Sequence, residues 1–411
     1  MQRAFVTGLG AVTPFGVGVV PMWSGLLAGR SAVRTIQNFD ASELAVQIAG
    51  EVPDFVPGDH MDAKVARRMD RFAQFAVAAS KEAVKDAGLE LTSLDLERVA
   101  VVMNTGAGGT VSFEGSIRGR INRGQRGVPL LAVPLYIPNM ASSQVSIALG
   151  ITGPTVTGTG ACAAGVMAVI DAIRLIELGI VDVVVCGSTE ALLSPVMVVG
   201  FSATGALSQR NDDPQGACRP FSNDRDGTVL AEGACVMVIE SEEHAVRRGA
   251  TVLAQAASGA STSDGYHITT PEPNGYHAAR AIAQAIERAG LLPADVDYFA
   301  AHATGSRLGD IAETRAIRRV FGDDPAHLSV TSTKSMAGHL IGAAGALSSL
   351  SCVLAIRDSV VPGTINLTEL DPECALPNLP TTSIHRPVRV AIANGLAFGG
   401  QNASALFRSV S

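Results

Sequence analysis

The chain of 411 residues is 47% hydrophobic and 17% charged, enough to bury a large core and long enough that two similar-sized halves are expected. Its net charge of −7 at pH 7 excludes nucleic acid as a bulk partner, because phosphate binding needs a dense basic face. The 43 glycines beside only 4% aromatic residues point to closely approaching backbones and tight turns between layers.

The chain opens on MQRAFVTGLGAV, an apolar stretch without the basic head and longer apolar run of a secretory signal, so a cytosolic protein is expected. No run of about 18 uncharged apolar residues follows, so no transmembrane helix is expected. Lys64, Arg67, Arg68 and Arg71 stand at helix-compatible spacing, leading into a helical pattern over Arg71–Ala87. A strand is expected over Arg98–Met103, ending in the NTGAGG loop that holds Ala107. A helix over Ala163–Leu178 and strands over Val181–Cys186 and Ala234–Glu240 come next. Helices over Ala278–Gly290 and Gly342–Arg357 and a strand over Val388–Asn394 complete the series. The alternation reads as α/β layering, and the continuous apolar strands imply a sheet covered on both faces.

The pattern repeats at long range. KDAGLELTSLDLERVAVVMNTGAGG is echoed by ERAGLLPADVDYFAAHATGS, TVTGTGACAAGVMAVIDAIRLI by SVTSTKSMAGHLIGAAGALSSLSCVLAI, and VDVVVCGSTEA by VRVAIANGLAFGG. Two duplicated α/β halves, 1–250 and 251–411, are expected.

Six cysteines, at 162, 186, 218, 235, 352 and 374, form no CxxC pair, which disfavours a disulfide framework and a zinc site. Cys162 is set apart: it follows a Thr/Gly run and opens a helix of small residues, where unpaired N–H groups and the helix dipole favour a thiolate. His302 ends the strand VDYFAAH, and His339 lies between strand and helix in STKSMAGHLIGAAG. Both are expected at a sheet edge, where side chains project into a crevice. Two histidines of the second half can thus converge on a nucleophile of the first. Lys334 sits among small residues, where an unpaired ammonium is costly. Asp310 and Glu313, at helical spacing in GDIAETRAI, are its candidate partners.

With these segments, and with VTGLGAVTPFG, RPFSNDRDGTVLAEGA and NGLAFGG, the chain resembles a β-ketoacyl-[acyl carrier protein] synthase of the elongating type over nearly its whole length. STKSMAGHLIGAAG is the most specific piece. The resemblance implies a thiolase-like fold of two duplicated halves in five layers, α-β-α-β-α. It implies that Cys162 accepts an acyl group whose carbonyl oxygen is held by the N–H groups of Cys162 and Phe398. It also implies that His302 and His339 act on malonyl-[acyl carrier protein], with no metal or organic cofactor required. Phe398, Gly399 and Gly400 match the family's gate, and Thr269, Thr270, Thr304 and Ser306 match pantetheine-contacting positions. Ala107 stands where the family often has a bulky aliphatic residue at the acyl tunnel, with Phe201 and Leu396 as the side chains that could fill the space. Lys64, Arg67, Arg68 and Arg71 match the carrier-docking patch.

The chain departs from the family's pattern at Cys162-Ala163-Ala164-Gly165, at His302-Ala303-Thr304 and at Leu396-Ala397-Phe398, which bears on pocket shape and gate mobility. A homodimer, or a heterodimer with a chain-length factor, is the expected assembly. Degradative thiolase chemistry needs a cysteine near the C-terminal Gly-rich loop, and AFGGQN has none. A chain-length factor itself would lack Cys162. The serious alternative is a ketosynthase subunit of an iterative type II polyketide or polyene pathway, since fold does not fix substrate.

Overall fold

The structure, a computed structural model, describes residues 2–410. In chain order its main strands are β1 (Ala4–Thr13), β2 (Val99–Asn104), β3 (Thr155–Val156), β4 (Val183–Glu190), β5 (Gly233–Ser241), β6 (Ala254–Ser263), β7 (Tyr298–Ala300), β8 (Ser329–Thr331), β9 (Val390–Ala397) and β10 (Gln401–Arg408). Its main helices are α1 (Val19–Leu27), α2 (Arg71–Asp86), α3 (Thr110–Arg123), α4 (Met140–Leu149), α5 (Ala164–Glu177), α6 (Pro195–Ala203), α7 (Tyr276–Arg288), α8 (Arg307–Phe321) and α9 (Ala344–Asp358). Each strand and helix expected from the sequence overlaps one of these, with ends that differ by a few residues.

The strand order β1-β5-β4-β2-β3 recurs as β6-β10-β9-β7-β8. The pairing senses recur with it: along each order the first two pairings are antiparallel and the last two, toward the outer edge, are parallel. The two blocks join edge to edge where Ala4–Val6 of β1 meets Ala254–Ala256 of β6. Parallel strands demand helical crossovers, and the crossovers supply the layers. Helices α2 and α4 cover one outer face through Phe72, Phe75, Ala79 and Val145, and α7 and α8 cover the other through Ile282, Ile286 and Ile317. Between the two sheets, α5 and α9 form the middle layer, and Val166, Val169, Ile173, Leu347, Leu350 and Leu354 share one cluster with strands of both blocks. This is the five-layered α-β-α-β-α arrangement, and each such buried side chain stabilises by roughly 1.5–3 kcal/mol.

The middle layer explains part of the glycine content. A Cβ on Gly165 would lie 2.2 Å from the amide nitrogen of Ala346, and one on Gly345 would lie 2.7 Å from that of Val166. The stretch Ile341–Asp358 is long and apolar enough to cross a membrane, with a mean hydropathy of 1.3 over 18 residues, yet 89% of it is buried inside the fold. Two of its hydroxyls are satisfied within the helix, Ser349 bonding the Gly345 carbonyl at 2.8 Å and Ser351 that of Leu347 at 2.9 Å.

Both middle helices start alike. Ala161 has φ 45° and Ile341 has φ 47°, and each opens one 3₁₀ turn, Ala161–Ala163 or Ile341–Ala343, that runs into its helix. Left-handed backbone at a non-glycine residue carries strain of order 1–3 kcal/mol and gathers at functional sites. The first turn holds Cys162; the second holds Gly342.

Candidate active site

One cavity of about 300 Å³ brings together Cys162, His302, His339, Phe201, Ile341, Leu396, Phe398, Thr269, Thr270, Thr304 and Ser306. A larger groove of about 620 Å³ between α1 and α2 is lined by Trp23, Glu82, Lys85, Asp86 and Arg357 among others. Two of its carboxylates are already committed to backbone amides, Glu82 accepting from Ala11 and Val19 and Asp86 from Leu9, so the reactive groups belong to the smaller cavity.

Cys162 sits in the strained turn at the start of α5 and is 8% exposed. Burial pushes its thiol up to about 12. Against that, the Lys334 charge pulls it down, the Glu190 carboxylate pushes it up, and the N–H groups of Phe398 and of Cys162 itself pull it down. Burial here outweighs the effect of the helix start. The resting side chain is therefore the thiol, and the favouring N–H groups act as the charge develops. Both N–H groups are directed at the Cys162 sulfur.

His302 and His339 meet edge to face, with ring centroids 5.4 Å apart. Each stays neutral, its pKa held well below 6.5 by burial first and the Lys334 charge next. Both backbones are pinned. The His302 N–H donates to Glu313 Oε1 at 2.8 Å, while the His339 N–H donates to the Val229 carbonyl at 2.7 Å and its carbonyl accepts from Ala231 at 2.9 Å. The RPFSNDRDGTVLAEGA segment thus has a structural purpose: it runs beside His339 and carries Arg225, which bonds Asp371 Oδ2 at 2.8 Å and the Arg307 carbonyl at 2.9 Å. The His339 Nδ1 atom is buried and has no hydrogen-bond partner among the described residues.

Lys334 is 2% exposed, and its pKa is lowered by burial while Glu313, Cys162, Cys218 and Asp310 hold it up in that order. The expected ion pair takes a different form, because both carboxylates have prior partners. Glu313 accepts from the N–H groups of His302 and Ala303 and from Asn394 Nδ2, at 2.8, 2.6 and 2.6 Å. Asp310 accepts from Phe221 and Gly305, at 2.9 and 3.2 Å, and lies 3.4 Å from Arg225 Nε. Lys334 meets them through space, as the positive centre of a buried network that reaches Cys162.

The gate residues follow β9. Phe398 stacks on Phe201 with centroids 6.3 Å apart. Gly399 and Gly400 adopt φ 82° and 74°, and a Cβ on Gly400 would meet that of Asp264 at 2.8 Å, so this turn requires glycine. Leu396 is buried at the end of β9. Thr304 Oγ1 bonds Ser306 Oγ at 2.9 Å, and the amides of Thr269 and Thr270 both donate to His267 Nδ1, at 3.2 and 3.1 Å, which leaves the four hydroxyl-bearing residues around the cavity.

Two expectations change. Ala107 packs, half-buried, against the apolar cluster that contains Cys162 and Ile341, and it is not among the residues that line the cavity. Arg71 leaves the basic patch: its guanidinium bonds Glu232, Nη2 to Oε1 at 2.7 Å, and lies over the rings of Phe75 and Phe55 at 4.6 and 5.8 Å. Lys64, Arg67 and Arg68 are exposed. Two residues escaped the sequence reading. Asn104 bonds the Ala164 carbonyl and the Gly158 amide, at 3.0 and 2.6 Å, and so ties the Thr/Gly run to α5. Glu190 is buried at the end of β4, where burial raises its carboxyl to about 7.

The sequence profile of the Beta-ketoacyl synthase N-terminal domain matches residues 1–245, and that of the Beta-ketoacyl synthase C-terminal domain matches residues 253–368. The curated 3-oxoacyl-[acyl-carrier-protein] synthase 2 proteins of Synechocystis sp. and of Staphylococcus aureus (strain COL) are each 42% identical over 407 residues, spanning 99% of this chain and 98% of theirs. Among solved structures, the ishigamide ketosynthase/chain length factor matches with a TM-score of 0.93 at 33% identity over 100% of both chains. A β-ketoacyl synthase from Burkholderia phymatum matches at 0.92 and 33%, again over 100% of both chains. A type II PKS acyl-carrier protein in complex with its ketosynthase bound to the hexaketide gives 0.92 and 31% over the same coverage.

Proposed function

This chain belongs to the β-ketoacyl synthase family, with its thiolase-like fold, and from that premise we propose that it lengthens acyl chains in fatty acid elongation. The reaction joins an acyl group on Cys162 to malonyl-[acyl carrier protein] and gives 3-oxoacyl-[acyl carrier protein], CO₂ and free carrier protein.

In the first half-reaction the Cys162 sulfur attacks the acyl thioester. The new C–S bond forms as the carrier's C–S bond breaks, and the carrier thiol leaves with the proton that Cys162 gives up. The N–H groups of Cys162 and Phe398 hold the tetrahedral oxyanion. In the second, the neutral rings of His302 and His339 donate to the malonyl thioester oxygen, so loss of CO₂ leaves an enolate rather than a free carbanion. The enolate carbon attacks the acyl-cysteine carbonyl, the thiolate leaves, and Cys162 regains a proton. Lys334, Glu313 and Asp310 keep the histidines neutral and in place, while Thr269, Thr270, Thr304 and Ser306 line the path of the pantetheine arm. Release of CO₂ drives the reaction forward.

The observation that carries this reading is the meeting of Cys162, His302 and His339 in one buried cavity. The chain's two halves, 1–250 and 251–411, divide the work, the nucleophile coming from the first and both histidines from the second. The exposed Lys64, Arg67 and Arg68 suit an acidic carrier protein. The protein acts in the cytoplasm as a dimer, either with itself or with a chain-length factor.

A second reading, a ketosynthase subunit of a type II polyketide pathway, is favoured by the match to a type II PKS ketosynthase at a TM-score of 0.92 and to a ketosynthase/chain length factor at 0.93. Mass spectrometry of the acyl group trapped on Cys162 separates the two. A saturated chain supports elongation; a poly-β-keto or conjugated chain supports the alternative.

A further inference from the structure

Glu190 is a fully buried carboxylate with no part in the chemistry above. Its Oε2 accepts from the N–H groups of Gly106 at 2.7 Å and Gly342 at 3.1 Å. Its Oε1 accepts from the Thr105 hydroxyl at 3.2 Å and the Ala107 N–H at 3.3 Å. One side chain therefore holds two segments far apart in sequence: the Thr105–Ala107 loop after β2, and the Ile341–Gly342 turn before α9.

Both segments bear on the space around Cys162. Ile341 lines the cavity, and Ala107 packs in the same apolar cluster as Cys162 and Ile341. The carboxylate is also close enough to raise the Cys162 pKa. The duplication gives the arrangement its logic. Gly342 occupies, in the second half, the place that Cys162 occupies in the first, one residue after a left-handed residue and at the head of a middle-layer helix. A Cβ on Gly342 would lie 2.7 Å from Glu190 Oε2 and 2.3 Å from the Gly106 nitrogen. Where the first half has a nucleophile and a cavity, the second has a bare backbone closed over by this carboxylate.

We propose that Glu190 is a positioning residue that clamps the Thr105–Ala107 loop to the Ile341–Gly342 turn, fixes Ile341 in the cavity wall, and so sets the longest acyl chain that Cys162 accepts. The inference rests on the acyl-transfer reading. Its physical basis is that hydrogen bonds to an ionised acceptor are roughly twice as strong as neutral ones, and that three of the four donors are backbone groups. In Glu190→Gln an NH₂ group must face one set of N–H donors. Whichever set the NH₂ faces, Gly106 and Gly342 or Thr105 and Ala107, at least one backbone N–H loses its acceptor, and the loop and the turn are no longer held together from both sides.

The test is the rate of Cys162 acylation, read by intact mass, across a series of carrier-bound acyl chains from short to long. For Glu190→Gln the long-chain rate should fall about tenfold relative to the short-chain rate, the size expected when a charged hydrogen bond is lost. Short-chain acylation should stay within about threefold of wild type, as for a residue that acts on the pocket and not on the reacting atoms. Ile341→Ala should remove the effect, so that adding Glu190→Gln to it changes the profile no further. Thr105→Val, which deletes one donor only, should shift the profile in the same direction by less, and it decides the matter if the Gln variant does not fold. Parallel profiles, or a uniform fall at every chain length, would overturn the clamp while leaving acyl transfer standing. No acylation of Cys162 in the wild-type protein would overturn both.

Discussion

Replacing Glu313 by Gln turns one oxygen into an NH₂ group at a site where every direct partner donates. The carboxylate takes the N–H groups of His302 and Ala303 and the amide of Asn394 at 2.8, 2.6 and 2.6 Å, and all three residues are buried. Whichever way the new amide turns, at least one buried donor faces another donor. Leaving such a group unsatisfied costs about 1–3 kcal/mol, a drop of about 1–4 °C in Tm for a chain of this size. The change also removes the charge that contributes most to holding up the Lys334 pKa, so the ammonium that polarises the pocket becomes easier to neutralise. His302 hangs on the broken bond, and a displacement of about 1 Å at a reacting group can cost about 100-fold in rate. Two measurements check the reasoning: Tm by differential scanning calorimetry, and release of CO₂ from malonyl-[acyl carrier protein]. Both should fall, with decarboxylation reduced more than acylation of Cys162. A Glu313→Gln protein with wild-type Tm and wild-type CO₂ release would show that Glu313 does not hold His302 in place.

Because His302 and His339 are held neutral, with folded pKa values below the 6.5 of an unfolded histidine, the unfolded chain takes up protons first as pH falls. The stability they confer is present above about pH 6.5 and lost below it. Glu190 and Asp310, both raised to about 7, act in the opposite sense. The prediction is therefore a difference: between about pH 7.5 and 5.5 the urea midpoint of wild type should fall relative to that of His302→Ala/His339→Ala, and parallel midpoints would contradict it. Charge reversal at Arg67 and Arg68 should raise KM for carrier-bound substrate and weaken its salt dependence, with small thioester analogues little affected; an unchanged KM removes the patch. Arg71→Ala should instead lower Tm, since it strips Glu232 of its ion pair and leaves a buried charge behind. Ala107→Ile should shorten the longest chain accepted by pressing on Ile341, with short-chain acylation of Cys162 kept; identical profiles against chain length would show that residue 107 does not reach the tunnel.

The repeat in the sequence carried the architecture well, because each half writes the same order of apolar strand, small-residue loop and Ala/Gly-rich helix. Cys162, His302 and His339 were legible for a related reason: each stands at a change from strand to turn or helix, where side chains reach a crevice. What the sequence could not show is who reaches a group first. Lys334 and Glu313 read as a pair, but Glu313 is taken by Asn394, 81 residues away, and by two backbone amides. Arg71 reads as a surface charge until β5 and its preceding loop bring Glu232 beside it from 161 positions away. The Cys162 thiol reads as activated by a helix start, yet the layers that close over it set a larger opposing effect. Glu190 did leave a signal, the one acid in the run VVVCGSTEA, and a buried carboxylate in such a strand calls for fixed donors.

The most direct test of the account is the stoichiometry of condensation in purified protein supplied with acyl- and malonyl-[acyl carrier protein], for wild type and for Cys162→Ala. The account predicts that wild type carries the acyl group on Cys162 and releases one CO₂ for each 3-oxoacyl thioester formed, and that Cys162→Ala forms no 3-oxoacyl product. Condensation persisting in Cys162→Ala, or the acyl group found on another residue, would contradict it.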